Sequence, residues 1–258
     1  MIPFQRLAAI VASTSSILFV QLFSWIDPPR ESVVRAWSSP LTPAALANSE
    51  TSAKSLFALP VNSKPRRSQG SGSRGCHQGD LAEVTLLIPS EEVAGQTVSG
   101  RPSLFLYLPK SVSVPIKVTL SLPHQALPQE SVLIYETQIE APEAGIIKLE
   151  LPADGPALSD DEIYMWAASL ICNEKRPSAN PFYNSWIERV PMTSALEEAL
   201  TDVTSARDRA RIYAEAGAWY DALATLYNAQ MENPDDIDIQ NDLNALLVDV
   251  GLTEVAQR

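Results

Sequence analysis

The chain has 258 residues, 45% of them hydrophobic, and a formal net charge of −12. This length suits one large domain or two modest ones, and the hydrophobic content is ordinary for a globular protein. Because an acidic surface repels phosphate backbones, the charge argues against nucleic-acid binding.

Residues 1–30 predict a signal peptide or a membrane anchor. Arg6 precedes an uncharged run from Leu7 to Ile26, which Asp27 and Pro28 end. This order is typical of a secretory signal. The run also has about the 20 residues that a membrane span needs, so a retained anchor is one alternative and a buried core helix is another. Positive charge before the run favours export of the C-terminal part of the chain, to the periplasm or cell envelope.

Residues 31–75 predict a disordered linker. They are rich in Pro, Ser, Ala and Gly, and such a composition buries too little apolar surface to order itself. Gly70, Gly72 and Gly75 match the dinucleotide fingerprint G-x-G-x-x-G. That fingerprint requires a preceding strand and a following helix, and the predicted linker supplies neither. We therefore interpret the match as chance and expect no cofactor.

Residues 76–192 predict an antiparallel β-sandwich-like domain. Apolar and polar residues alternate from Val114 to Leu122 and from Ile147 to Leu151, which indicates half-buried strands. The segment Ile163–Ile171 is apolar on both faces and predicts a central strand. About seven strands result, at intervals typical of a sandwich. The remaining candidates are Leu81–Ile88, Leu104–Leu108, Leu133–Ile139 and Trp186–Val190.

Residues 193–258 predict a short α-helical segment, so the expected fold class is α+β. Two helices, from about Ala206 to Ala216 and from there to Pro234, would meet at Gly217. Small and large residues recur at the intervals of a tetratricopeptide (TPR) repeat, whose period is about 34 residues, and Gly251 lies one such period after Gly217. A generic amphipathic hairpin is the alternative.

The TPR-like segment holds roughly one and a half repeats, whereas about three are needed for a stable array. The helices must therefore pack on the preceding domain or on a partner. The apolar side of the third helix, formed by Leu243, Leu247 and Val250, is expected to dock on the sheet or on a second copy of the chain.

The chain has two cysteines, Cys76 before the first predicted strand and Cys172 after the central one. In an exported protein two cysteines usually pair, so we predict a disulfide. Its loop of about a hundred residues would stabilise the fold by up to ~4.7 kcal/mol. Two free thiols in a reducing compartment are the alternative.

The sequence contains no recognisable catalytic or metal-binding motif. His77 lies in a Cys-His-Gln-Gly-Asp sequence and His124 in a predicted turn, and neither has the partners that a metal requires. The cluster Asp160-Asp161-Glu162 lacks the spacing of a calcium loop and indicates a solvated turn. The large residues Trp166, Trp186 and Trp219 are expected in the core.

The part of the chain that is predicted to fold contains several distinctive motifs. They are Arg74-Gly75-Cys76, Leu87-Ile88-Pro89, Tyr107-Leu108-Pro109, Trp166 with Ser169-Leu170-Ile171-Cys172, Ser178-Ala179-Asn180-Pro181, Trp186-Ile187-Glu188-Arg189-Val190, and Tyr213-Ala214-Glu215-Ala216-Gly217 with Trp219-Tyr220-Asp221-Ala222-Leu223. Together these motifs resemble one family, the DUF928 family of uncharacterised cyanobacterial exported proteins. The resemblance implies an N-terminal signal, a β-rich middle and a helical tail, and it implies no activity.

These observations favour a non-enzymatic, exported interaction module that binds a protein or peptide or self-associates through its C-terminal helices. Membrane contact is expected only through the N-terminal segment, if it is uncleaved. The alternative is a carbohydrate- or ligand-binding sandwich that uses Tyr107, Tyr135, Tyr164 and Trp166. A hydrolase that uses a pair of carboxylates is the third hypothesis.

Overall fold

The structure is a computed structural model that describes residues 69–70, 76, 83–89, 93–123 and 131–257. The predicted signal segment, the histidines His77 and His124, and most of the predicted linker lie outside these ranges. Gln69 and Gly70, at the end of the predicted linker, form a short strand instead. The strands are β1 (Gln69–Gly70), β2 (Thr85–Leu86), β3 (Gly95–Thr97), β4 (Ser103–Leu108), β5 (Ile116–Leu122), β6 (Val132–Ile139), β7 (Gly145–Glu150), β8 (Ile163–Leu170) and β9 (Phe182–Arg189).

The helices follow the strands, so the fold is of the mixed α+β class. Thr193, Ser205 and Asp236 cap the first, second and fourth helices, because each side chain accepts a hydrogen bond from a backbone N–H of the first turn. In the described ranges no helix is both long and apolar enough to cross a membrane. The helices are α1 (Ser194–Leu200), α2 (Ala206–Glu215), α3 (Trp219–Glu232), α4 (Ile237–Asp249) and α5 (Thr253–Ala256).

The larger sheet has six strands, in the order β1-β9-β8-β5-β6, with β3 also pairing with β9. Strand β8 lies in the centre, as predicted, and its alternate side chains are buried. The pairing of β3 with β9 is parallel, whereas an antiparallel sheet was expected. The three residues of β3 show no alternation that a sequence pattern could reveal, and their placement depends on tertiary contacts.

The smaller sheet has three strands, in the order β2-β4-β7, and all of its pairings are antiparallel. Strand β4 is buried on both faces, since neither Leu104 and Leu106 on one side nor Phe105 on the other is exposed at all. Because successive side chains of a strand point to opposite faces, the smaller sheet is covered on both sides. The strands thus form two sheets, which are mostly antiparallel.

Helix α3 joins the helical segment to both sheets. The indole N–H of Trp219 donates to the carbonyl of Leu87, after β2, at 3.1 Å. The hydroxyl of Tyr220 accepts a hydrogen bond of 3.0 Å from the indole of Trp166, on β8. One hydrophobic core contains residues from both sheets and from α2 to α5. The helices therefore pack on the preceding strands, which is the first of the two alternatives expected for them.

The apolar side of α4 is buried within the helical layer. Leu243 and Leu247 are 2% and 1% exposed, and Val250 is half-buried. Helix α4 packs against α3 and α5, and α3 makes the main contacts with the strands. The main contacts of α4 are thus with neighbouring helices, whereas the sequence predicted that its apolar side would dock on the sheet or on a second copy of the chain. Helices α1 and α5 were not predicted, because each is short and has no sustained apolar period.

Candidate functional site

An apolar groove of about 530 Å³ lies at the junction of the smaller sheet and the helices. We call it the junction groove. Its volume lies within the range of ligand-binding pockets in proteins, about 300–1,000 Å³. It is lined by Tyr107, Leu108, Pro109, Ala144, Gly145, Ile146, Tyr227, Gln230, Met231, Pro234 and Val255.

Contacts between α3 and the smaller sheet hold the junction groove in shape. The ring of Tyr227 packs edge-to-face on Phe105, with ring centroids 5.3 Å apart. Its hydroxyl donates to the carbonyl of Ile146 at 3.4 Å, and burial raises the pKa of Tyr227, so the hydroxyl stays a neutral donor. Gly145 begins β7 with a φ of 122°, a conformation that favours glycine.

Met231 is the accessible apolar residue of the junction groove, with 63% of its surface exposed. A flexible, polarisable thioether in this position suits contact with apolar side chains of varied shape. Exposed acidic residues flank the lining residues along the chain, and Lys110 is the basic neighbour. The acidic neighbours are Glu143, Glu232, Asp235 and Glu254.

A second, polar cavity of about 370 Å³ lies on the larger sheet. Its floor is a row of residues that are directly paired across neighbouring strands: Gln138 with Lys117, and Lys117 with Ser169. Phe182 continues the row on β9, opposite Ser169. Along β5, Lys117 alternates with the buried residues Ile116, Val118 and Leu120. The row therefore lies on the face of the sheet that is turned away from the core. We call this the outer face.

The loop after β8 forms one wall of the polar cavity, and Asn180 organises it. The side-chain oxygen of Asn180 accepts hydrogen bonds from the backbone N–H groups of Cys172 and Asn173, at 3.1 and 2.9 Å. The side-chain nitrogen donates to the carbonyl of Asn173 at 3.2 Å. The predicted disulfide between Cys76 and Cys172 is present and ties this loop to the start of the domain.

The structure does not assemble the aromatic surface expected from the sequence. Tyr164 and Trp166 are 3% and 0% exposed, and Trp166 is bonded within the core to Tyr220. Tyr107 is 7% exposed and lines the junction groove, whereas Tyr135 is half-buried on another strand. The four residues therefore do not form one site.

Trp186 was expected in the core together with Trp166 and Trp219, but its neighbours on β9 show otherwise. Tyr183 and Ile187 are buried, and Trp186 is half-buried on the outer face, on the same side as Phe182. The period-two pattern of the strand could have revealed this, because an inward Ile187 requires an outward Trp186. Trp166 and Trp219 are in the core, as predicted.

The acidic cluster before β8 is a turn. Asp160 forms an ion pair with Arg189 at 2.9 Å, and Asp161 has a φ of 61°. Across the part of the chain that the structure describes, no group of three or more His, Cys, Asp or Glu side chains could hold a metal ion.

Comparison with known proteins shows which family the fold belongs to. No curated protein matches the chain. The family model described as Domain of Unknown Function (DUF928) matches residues 69–258, a range that includes both sheets, both concave surfaces and all the described helices. The match covers well over half of the chain, and the protein therefore belongs to the DUF928 family.

Proposed function

We propose that this protein is a non-enzymatic interaction module that binds a peptide segment of a partner protein in the junction groove. The observation that carries the proposal is a wide apolar groove with an exposed methionine, framed by a strand and a helix that are fixed in one core. Apolar grooves of this kind bind peptides by accepting a few large side chains.

The charge around the groove favours a partner that is basic as well as apolar. Four exposed carboxylates and one exposed lysine adjoin the lining residues, and the whole chain carries a net charge of −12. Complementary charges accelerate the encounter of two partners and oppose the binding of acidic competitors. We therefore expect a segment with one or two large apolar side chains beside Lys or Arg.

The helical segment that frames the groove is proposed to be TPR-like. In support, α2 and α3 form a hairpin that turns at Gly217, and Gly251 recurs one repeat period later; both glycines have positive φ, 79° and 83°. An experimentally solved structure in which α2, α3 and α4 do not superpose on consecutive repeat helices would contradict this likeness.

We also propose that the protein is exported to the periplasm or cell envelope. The disulfide between Cys76 and Cys172 supports an oxidising compartment. Residues 1–30 would supply the signal or anchor, and the cyanobacterial origin implied by the family resemblance stays a prediction. Fractionation of the source cells tests the location, because recovery in the cytosol with reduced thiols would contradict it.

Peptide display on the oxidised full chain tests the binding function. We expect selected peptides to combine apolar and basic residues and to bind more weakly at high salt, since salt screens the charges. Met231→Asp should weaken their binding by about tenfold or more, because it replaces the accessible apolar side chain of the groove with a carboxylate that the large apolar side chain of a bound peptide would desolvate.

Val248→Asp is the matched control, since Val248 is an exposed apolar residue of α4, outside the groove, at 47% exposure. It should leave peptide affinity unchanged. If Met231→Asp leaves peptide affinity as unchanged as Val248→Asp does, the junction groove is not the binding site.

A further inference from the structure

The outer face combines hydrogen-bonding side chains with one exposed and one half-buried aromatic ring. The paired row Gln138, Lys117, Ser169 and Phe182 crosses four strands. Neighbouring strands lie about 4.8 Å apart, so the row is about 14 Å long. Phe182 is 39% exposed at its end, beside the polar cavity.

A second aromatic residue extends the surface along β9. Trp186 is on the same face as Phe182, four residues further along the strand, which places the two residues about 13 Å apart. Two flat rings at this distance are too far apart to stack on each other, and each offers an apolar surface to a ligand. A ligand that contacts both must be extended.

The polar groups of the cavity have unused hydrogen-bonding capacity. The ammonium of Lys117 has three N–H donors, and it bonds Glu136 at 3.1 Å with one of them. Gln138 donates to Glu140, and its side-chain carbonyl is an acceptor as well. The hydroxyl of Ser169 therefore lies one strand spacing from Phe182, and the groups of Lys117 and Gln138 follow at two and three strand spacings.

The polar cavity carries little net charge, and the carboxylates of Glu140 and Glu188 lie outside it, where they accept hydrogen bonds from Gln138 and Gln96. The Lys117–Glu136 ion pair cancels two charges, and Glu174 is the remaining charged residue that lines the cavity. An anionic polymer would be repelled by these carboxylates and by the net charge of −12.

From this arrangement we propose that the outer face is a binding site for an uncharged oligosaccharide. A sugar ring has an apolar C–H face that stacks on an aromatic ring and hydroxyls around its edge that donate and accept hydrogen bonds. The outer face offers both kinds of contact at Phe182 and a second aromatic ring at Trp186, about 13 Å further along β9. This site is separate from the junction groove, and the two proposals stand or fall independently.

Calorimetric titration of the oxidised full chain with cellohexaose, chitohexaose and maltohexaose, and with an acidic hexauronate for comparison, tests the proposal. At least one neutral hexasaccharide should bind, and more tightly than the acidic one. Phe182→Ala and Trp186→Ala should each weaken that binding by about tenfold, as loss of an aromatic anchor does.

Met192→Ala is the matched control, because Met192 is a large exposed apolar residue, at 44%, that lies after β9 and outside the row. It should bind as the unchanged protein does, and so should Met231→Asp. Three results would overturn the proposal: no neutral hexasaccharide binds at millimolar concentration, Phe182→Ala binds with unchanged affinity, or Phe182→Ala abolishes binding of display-selected peptides while no sugar binds. The last result would assign the outer face to a protein partner.

Discussion

Asp221, near the start of α3, is a half-buried carboxylate beside the segment after β3. Its side chain accepts a hydrogen bond from the backbone N–H of Val98 at 3.0 Å. Burial raises the pKa of Asp221 from 3.8 to about 6, and hydrogen bonds from Val98, Thr97 and Ser99 oppose the rise. The residue therefore binds a proton more tightly in the folded protein than in the unfolded one.

This predicts a pH dependence of stability that depends on Asp221. Because the folded state holds the proton between about pH 4 and pH 6 and the unfolded state does not, this contribution to the free energy of unfolding falls as pH rises through that range, by at most ~3 kcal/mol. Urea titrations at several pH values measure the free energy of unfolding of the unchanged protein and of Asp221→Asn. The difference between the two values should vary with pH over this range. Asp235→Asn, at an exposed position, is the control, and a pH-independent difference for Asp221→Asn would contradict the prediction.

The docking of α3 on the strands rests in part on a hydrogen bond between two buried side chains. Tyr220 is 1% exposed and Trp166 is fully buried. Tyr220→Phe removes the hydroxyl that accepts this hydrogen bond and leaves the buried indole N–H of Trp166 without an acceptor. The free energy of unfolding should therefore fall by about 1–3 kcal/mol. Denaturant unfolding measures the loss. Tyr213→Phe, on α2, is the control, and an equal effect of the two changes would count against this role of the bond.

Elements with a strong period were predictable, and elements fixed by tertiary contacts were not. The alternation in β5 and the apolar spacing in α3 specify strand and helix locally. Strand β3 has no such pattern. Its Gly95 lies so close to α3 that a Cβ there would be 2.6 Å from the ring of Tyr220, and this approach is invisible until the helix is placed on the sheet.

The same distinction applies to the candidate sites. The sequence indicated that the helices needed a neighbour, but the junction groove depends on which face of the smaller sheet meets Tyr227. The outer face is formed by residues far apart in the chain, such as Lys117 and Phe182, which strand order brings into one row. The pattern of a single sequence indicates which residues share one face of a strand, but it does not indicate the order of the strands in the sheet.

At the scale of the whole molecule, the helices and both sheets share one core, and they should therefore unfold together. Trp166 on β8 and Tyr220 on α3 are bonded to each other within that core. If α3 were a separate unit, the junction groove between it and the smaller sheet would not persist, and the proposed peptide site would be lost. Both the fold and the leading function thus depend on this attachment.

Hydrogen exchange of the oxidised full chain tests the attachment most directly, by comparing the slowest amides of α3 with those of β8. If both segments open only when the whole protein unfolds, their exchange free energies should agree within about 1 kcal/mol. Slowest amides in α3 that exchange about a hundredfold or more faster than those of β8 would show that the helices open on their own. That result would contradict a single core and the groove built on it.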